Sequence, residues 1–232
     1  HTPMLSSVVM FGGIVSKAGT QRQKEMILPG VCDGSRLGTF AYQESARHNP
    51  YAVSTRLVQD GDGYRLSGQK RLVLDGGAAS DYVVLARESG ESADRDGLVL
   101  VMIPADDERV VVRNQQLLDG RSVANISFHN VAVSEDQLLG NRDDVPDIVD
   151  DIFAKTAVIL SAEMTGGIQS TFEMTLEYLK TREQFGSKIG SFQGLKHRAA
   201  RWFCELELSK AIVLEALRAI DSDSEEMIKL AS

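Results

Sequence analysis

Two kinds of hydrophobic patterning divide the chain. From Leu37 to about Gly140, apolar and β-branched residues come in short runs: Thr39 to Tyr42, Ala52 to Val58, Tyr64 to Leu66, Lys70 to Leu74, Tyr82 to Ala86, Leu98 to Ile103, Val110 to Val112 and Ala124 to Phe128. Turn residues separate many of them, notably Asp60-Gly61-Asp62-Gly63 and Asp75-Gly76-Gly77. Short runs punctuated in this way predict an antiparallel sheet or barrel. After Pro146 the period changes. Val149, Ile152, Phe153, Thr156, Leu160, Met164, Ile168, Phe172, Leu176 and Leu179 recur in steps of three and four, which predicts one long helix. Phe192, Leu195, Ala199, Trp202, Leu206, Ile212, Ala216 and Ile220 predict a second helix, with Ser191 as its N-cap. Two long helices joined by a short loop imply an antiparallel pair that needs further helices to cover it.

Ahead of the strands, Ser6 to Lys17 is mixed in pattern, and Gln21 to Gly30 is expected to form a short helix stopped by Pro29-Gly30. The pattern therefore divides the chain at residues 1–35, 36–141 and 142–232. Gly166-Gly167 inside the first long helix costs about 1 kcal/mol per glycine relative to alanine. A close helix crossing is the expected reason for the pair.

Composition narrows the function classes. With 232 residues and 43% hydrophobic content, the chain can bury one sizeable core or two modest ones. No apolar run approaches the roughly 20 residues of a membrane span. A net charge of −8 without clustered Lys and Arg disfavours a nucleic-acid partner. The opening His1-Thr2-Pro3-Met4 carries no secretory pattern, and the chain is expected to be cut from something longer. Cys32 and Cys204 stand far apart, and His48, His129 and His197 are dispersed, so neither a disulfide framework nor a metal site is expected. A reducing cytoplasm fits this usage best.

The most specific chemistry lies between the two long helices, in Arg182-Glu183-Gln184-Phe185-Gly186-Ser187-Lys188-Ile189-Gly190-Ser191-Phe192-Gln193. Taken alone, Arg182 is a surface arginine on a connecting loop and Phe185 a buried phenylalanine. The whole stretch, with Tyr178-Leu179-Lys180-Thr181 before it, resembles the Arg-x-x-Phe-Gly to Phe/His-Gln segment of the FAD-dependent acyl-CoA dehydrogenase family. The resemblance implies that Arg182 contacts the FAD pyrophosphate, that Gln193 reaches the adenine end and that Phe185 packs near the dinucleotide. A guanidinium offers paired donors to phosphate oxygens, and an amide offers donor and acceptor to a base edge.

The strand-rich part resembles the same family over Leu37 to Leu139. Gly38-Thr39-Phe40-Ala41-Tyr42-Gln43-Glu44 stands where a strand meets the flavin ring, which implies contacts from Phe40, Tyr42 and Gln43. Ser45-Ala46-Arg47-His48-Asn49-Pro50 replaces a glycine-rich stretch of the family. Arg71-Leu72-Val73-Leu74-Asp75-Gly76 replaces Met/Ala-Trp-Ile-Thr-Asn-Gly, so Leu72 and Leu74 bring apolar contact but neither ring stacking nor a hydroxyl. They are equally readable as strand core. Ala154 and Ala157 replace an aspartate and an arginine. Thr156 occupies an alternative position of the catalytic glutamate, and its hydroxyl cannot act as a base near neutral pH.

The resemblance implies a multidomain α+β fold: an N-terminal helical domain mostly missing, a middle antiparallel β-barrel, and the first part of a C-terminal four-helix bundle. It implies α,β-dehydrogenation of an acyl-CoA thioester with FAD, electrons leaving to an electron-transfer flavoprotein, a base beyond Ser232, and a homodimer, homotetramer or heteromer. The departures at Leu72, Leu74, Ala154, Ala157 and Ser45 to Pro50 leave three other readings open. One is a catalytically incomplete subunit of a heteromer, similar to the small subunits of the pimeloyl-CoA type. The others are a flavin-free scaffold and an acyl-CoA oxidase.

Overall fold

The structure, a computed structural model, describes residues 2–222. The chain divides into two compact units, His1–Phe153 and Ala154–Ser232.

The first unit opens with a wide helical segment, Met4–Gly12, that runs on into α1 (Gly13–Ala18) and is followed by α2 (Gln21–Asp33). The mixed pattern of Ser6 to Lys17 is thus helical, with Ser6, Ser7, Phe11, Ile14 and Val15 buried. Helix α2 starts on a reciprocal cap between Thr20 and Gln23. It does not stop at Pro29-Gly30 as expected. Pro29 and Glu25 both face outward, where water can serve the carbonyl that the proline leaves without a donor, while Ile27 and Val31 continue the buried face. The helix ends instead at Gly34, whose φ of 76° suits glycine.

Eight strands follow: β1 (Gly38–Ala41), β2 (Arg56–Asp60), β3 (Gly63–Leu74), β4 (Asp81–Arg87), β5 (Leu98–Pro104), β6 (Val110–Gln116), β7 (Ser122–Val133) and β8 (Leu138–Leu139). Their order is β6-β7-β3-β2-β4-β5-β8, with β1 also on β4. Most neighbours are antiparallel, but β1 and β2 each pair with β4 in parallel, so the sheet is mixed. The expected strand at Ala52 to Val58 begins only at Arg56; the amides of Ser54 and Thr55 donate to the Glu44 carboxylate instead of to a neighbouring strand. The two runs Tyr64 to Leu66 and Lys70 to Leu74 form one strand, broken by irregularities after Leu66 and Lys70.

Cover on both faces explains why β4 from Tyr82 to Ala86 and β5 from Leu98 to Ile103 are apolar. Val83, Leu85, Leu98 and Leu100 join a core with Phe11, Ile14, Ile27 and the helix residues Val149 and Ile152. Tyr82, Val84, Val99 and Val101 join a second core with Leu57, Leu66, Ile126 and Phe128.

Arg87, at the end of β4, is fully buried. Its guanidinium donates to the carbonyls of Val53, Ser89, Asp96, Tyr51, Ser92 and Asp94 at 2.6–3.4 Å. One side chain thereby fastens segment 51–53 to segment 89–96.

Helix α3 (Val145–Thr181) begins in the first unit. There Asp150 accepts from Tyr51 and from Arg95, the latter at 2.8 Å, and Asp151 bridges Lys17 at 2.9 Å. The second unit holds the rest of α3, a two-stranded hairpin of β9 (Glu183–Gln184) and β10 (Ser187–Lys188), and α4 (Gln193–Asp221). Phe172 packs its ring 5.2 Å from that of Trp202, as an antiparallel pair requires. Ser191 does not cap α4. Its hydroxyl donates to the Lys188 carbonyl within a tight turn, Ile189–Ser191, and Phe192 occupies the cap position. The glycine pair in α3 meets no crossing helix among the described residues: a Cβ added at Gly166 or Gly167 would enter open space. Phe203, next to Trp202, is half exposed, with its ring 6.3 Å from that of Phe172.

Candidate functional site

In the second unit, the loop between the long helices is built around two residues of opposite conformational taste. Gln184 pairs with Ser187 and Glu183 with Lys188, leaving Phe185 and Gly186 as a two-residue turn. Both have positive φ, 55° and 77°, the geometry that closes such a hairpin with the right twist. Glycine adopts it freely; phenylalanine does so at a cost of about 1 kcal/mol or more. The strained ring is 93% exposed, contrary to the buried phenylalanine expected of a simple connecting loop, and it lies edge-on to Phe192 with centroids 6.3 Å apart.

Arg182 lies at the base of this hairpin, its carbonyl accepting from the Ile189 amide at 2.9 Å. The neighbouring carboxylates are engaged elsewhere, Glu183 with Lys188 at 2.7 Å and Glu177 with Lys180 at 2.6 Å. The Arg182 side chain is exposed, as is Gln193, the first residue of α4. No side chain caps that 29-residue helix, so its first amides add to a donor set suited to phosphate. A guanidinium, an amide, a helix N-terminus and an exposed aromatic ring within one short stretch fit the pyrophosphate and base of a dinucleotide. Thr156 lies half-buried in α3 and supplies no proton acceptor of useful basicity.

In the first unit, the other residues singled out in the sequence gather where β1 meets the end of β3. The Thr39 hydroxyl donates to the Leu74 carbonyl at 2.7 Å, and the Arg71 amide donates to the Gln43 carbonyl at 2.7 Å. Phe40 is buried, with Tyr42 5.3 Å away. Leu72 is 40% exposed at a φ of 52°, its amide donating to Asn125 Oδ1 at 3.2 Å. Leu74 is half-buried. The ridge thus offers one exposed apolar side chain on a strained backbone, beside a well-tied strand end.

Sequence reasoning passed over two features here. His48 and Phe153 join Tyr42 in an edge-to-face group, with centroids 4.8–6.0 Å apart. Lys70 is fully buried and bridges Glu44 at 2.7 Å while donating to the Tyr42 carbonyl at 3.1 Å. Burial pushes the Lys70 ammonium down to about 8, against the upward pull of Glu44. Burial works to raise the Glu44 carboxyl, but the Lys70 charge and the hydrogen bonds from Lys70 and Thr55 outweigh it, leaving Glu44 below its ordinary range. Glu44 also accepts from the amides of Ser54 and Thr55. The twenty-odd residues separating these partners carry no pattern that links them.

A mixed sheet with apolar cores on both faces, in a chain that continues into a long helical pair with an Arg-x-x-Phe-Gly hairpin, defines a class of flavin-linked dehydrogenase folds. Residues 42–131 match the acyl-CoA dehydrogenase middle domain, and residues 147–232 match the acyl-CoA dehydrogenase C-terminal domain. The chain belongs to the acyl-CoA dehydrogenase family. It is 28% identical over 222 residues to the mitochondrial short/branched chain specific acyl-CoA dehydrogenase of Bos taurus, covering 94% of this chain and 51% of that protein. Among solved structures it is similar to butyryl-CoA dehydrogenase from Megasphaera elsdenii, with a TM-score of 0.92, 21% identity, and coverage of 99% of this chain and 61% of that one. It is also similar to an FAD complex of PigA, with a TM-score of 0.90, 21% identity, and coverage of 99% and 61%. The chain spans about half the length of the curated relative it matches.

Proposed function

We propose that this chain is the flavin-holding portion of an FAD-dependent acyl-CoA dehydrogenase that acts in the cytoplasm. The observation that carries the reading is the hairpin at Phe185-Gly186, which holds an exposed ring in a strained conformation beside an exposed arginine and an uncapped helix N-terminus. Strain kept at a fully exposed position makes sense where the ring is needed for contact with something else. Arg182 would hold the pyrophosphate, Gln193 the adenine end, and Phe185 would pack along the dinucleotide. Phe40, Tyr42, Gln43, Leu72 and Leu74 would form the ridge against the ring system.

When bound, FAD supplies the acceptor for the hydride that leaves the β-carbon of an acyl-CoA thioester. The chain's own residues bind and orient it: Thr39 and Arg71 tie down the strand end, and Lys70 with Glu44 fixes the start of the adjoining loop. The α-proton needs a base that the Thr156 hydroxyl cannot supply near neutral pH. Electrons would pass to an electron-transfer flavoprotein, and the enzyme would work as a homodimer, a homotetramer or a heteromer with a related chain.

A second reading is favoured by Leu72 and Leu74, which present neither a stacking ring nor a hydroxyl: the chain as the catalytically incomplete subunit of a heteromeric dehydrogenase. The test is a visible absorption spectrum of the full-length protein, purified with any partner, before and after anaerobic addition of a panel of acyl-CoA thioesters. Flavin bands that bleach with a thioester are expected. Bleaching only when a larger related chain is present selects the second reading, and an intact assembly without flavin overturns both. Oxygen consumption during turnover would identify an oxidase instead.

A further inference from the structure

On the outer face of the sheet, β3, β7 and β6 lie side by side and enclose a groove of about 420 Å³. Its composition follows from register. On β7, Asn125, Ser127 and His129 alternate outward while Ile126 and Phe128 enter the core. Gln69 of β3 and Val111 of β6 both stand opposite Ser127, and Arg113 of β6 stands opposite Asn125. Arg71 lies in the irregularity after Lys70, at the level of Asn125 on the other flank of β7. Two guanidiniums therefore flank one central strand, their backbones roughly 10 Å apart across two strand spacings. That separation lets both side chains reach over the strand between them.

The groove is cationic in a chain whose net charge is −8. Among the described residues, no carboxylate lines it. Lys70, also at its floor, is committed to Glu44 on the inner side of the strand. Asn125, whose side-chain oxygen accepts from the Leu72 amide, lines the groove and carries an NH₂ donor. Ser127 and His129 add a hydroxyl and a ring nitrogen. Donors of this kind, without a compensating acid, suit a ligand with several anionic oxygens, and forked guanidiniums match phosphate geometry. The volume falls in the range of small-molecule sites.

We propose that this groove binds a diphosphate, with Arg71 and Arg113 each taking one phosphoryl group and Asn125 and Ser127 donating to the bridge between them. The site lies in the first unit and uses none of Arg182, Phe185 or Gln193. It does not rest on the flavin reading. Both FAD and CoA carry a diphosphate, and the chemistry of the groove suits either.

The test is calorimetric titration of the full-length protein, as purified, with inorganic pyrophosphate. The comparison is with R71Q/R113Q and with R182Q, all three checked by circular dichroism. Both groove arginines are exposed, so the variants should keep the fold. Pyrophosphate should bind the wild type and lose affinity by at least about tenfold in R71Q/R113Q, the loss expected for charge-assisted hydrogen bonds, while R182Q retains a pyrophosphate site. Displacement of the pyrophosphate by CoA would assign the groove to the thioester carrier, and displacement by FAD to the flavin. Absence of binding to the wild type, equal binding to R71Q/R113Q, or loss confined to R182Q would overturn the proposal. Flavin content and thioester bleaching are read separately, so failure of the dehydrogenase reading would not be mistaken for failure of this site.

Discussion

The Lys70 ammonium lies 2.7 Å from Glu44 Oε1 with no exposed surface of its own, so the two charges form one buried unit at the root of the loop after β1. Removing one partner leaves the other without compensation in a low-dielectric setting. Glu44→Ala is expected to lower unfolding stability by about 3 kcal/mol. Lys70→Met with Glu44→Gln, which removes both charges, should cost less than the two single changes added together. Urea denaturation of the single and double variants measures this coupling.

The same pair sets a pH dependence whose sign can be worked out. Glu44 has a folded-state value below the ordinary 4.5, so its contribution is fully present above that value and is lost as pH falls through the folded value. Lys70, pushed down from 10.5 to about 8, binds its proton less readily when folded than when unfolded. Its contribution is therefore largest above 10.5 and declines as pH falls toward 8. Stability should thus fall on acidification below the carboxylate range and should rise between about pH 8 and 10.5. Denaturation midpoints across pH should show both limbs flattened in the variant lacking both charges.

Phe185→Asn should separate stability from ligand retention. Asparagine tolerates the left-handed conformation of this turn, so relief of strain is expected to stabilise the hairpin by about 1 kcal/mol. The exposed ring is lost at the same time, and the purified protein should retain less flavin. Thermal melting together with the ratio of visible to ultraviolet absorbance tests both halves. A gain in stability with unchanged flavin content would remove Phe185 from the cofactor site.

Arg87→Lys keeps a positive charge but loses the planar fork that reaches six carbonyls. The change should cost about 3 kcal/mol or more, since several buried acceptors lose their donor together. Hydrogen exchange should accelerate first at the Val53 amide, which bonds to Ser92 between the fastened segments, and at the Glu88 amide, which bonds to Gly97 at their edge.

Replacing Leu72 by Trp and Leu74 by Thr should increase flavin retention, because the ridge would gain ring stacking and a hydroxyl at two positions now purely apolar. Titration of the apoprotein with FAD, followed by absorbance, measures the change. Unchanged affinity would place Leu72 and Leu74 among ordinary strand residues.

Much of the architecture was readable where the signal is local. The runs at Tyr82 to Ala86 and Leu98 to Ile103 gave strands with both faces covered, and the three-and-four stepping from Val149 to Leu179 gave α3. Local punctuation failed where burial overruled it. Pro29 lies inside α2 because Ile27 and Val31 are buried on its inner face, and Ser191 serves a turn instead of capping α4. The hairpin residues Arg182, Phe185 and Gln193 could be singled out because the short stretch that holds them resembles a contiguous segment of the family. Arg71 and Arg113 could not be brought together from sequence: their meeting depends on the register of three strands and on the irregularity after Lys70. The same holds for Arg87, whose six acceptors come from two loops with no shared pattern.

Many proteins join irregular loops of this kind with a calcium ion, which also gathers several carbonyl oxygens around one positive charge. Here the cation is covalently part of β4. A guanidinium cannot be extracted by a chelator, exchanged for a competing ion, or neutralised at any pH a cell encounters. The geometry of residues 51–53 and 89–96 should therefore be indifferent to metal supply, and it is inherited with a single codon.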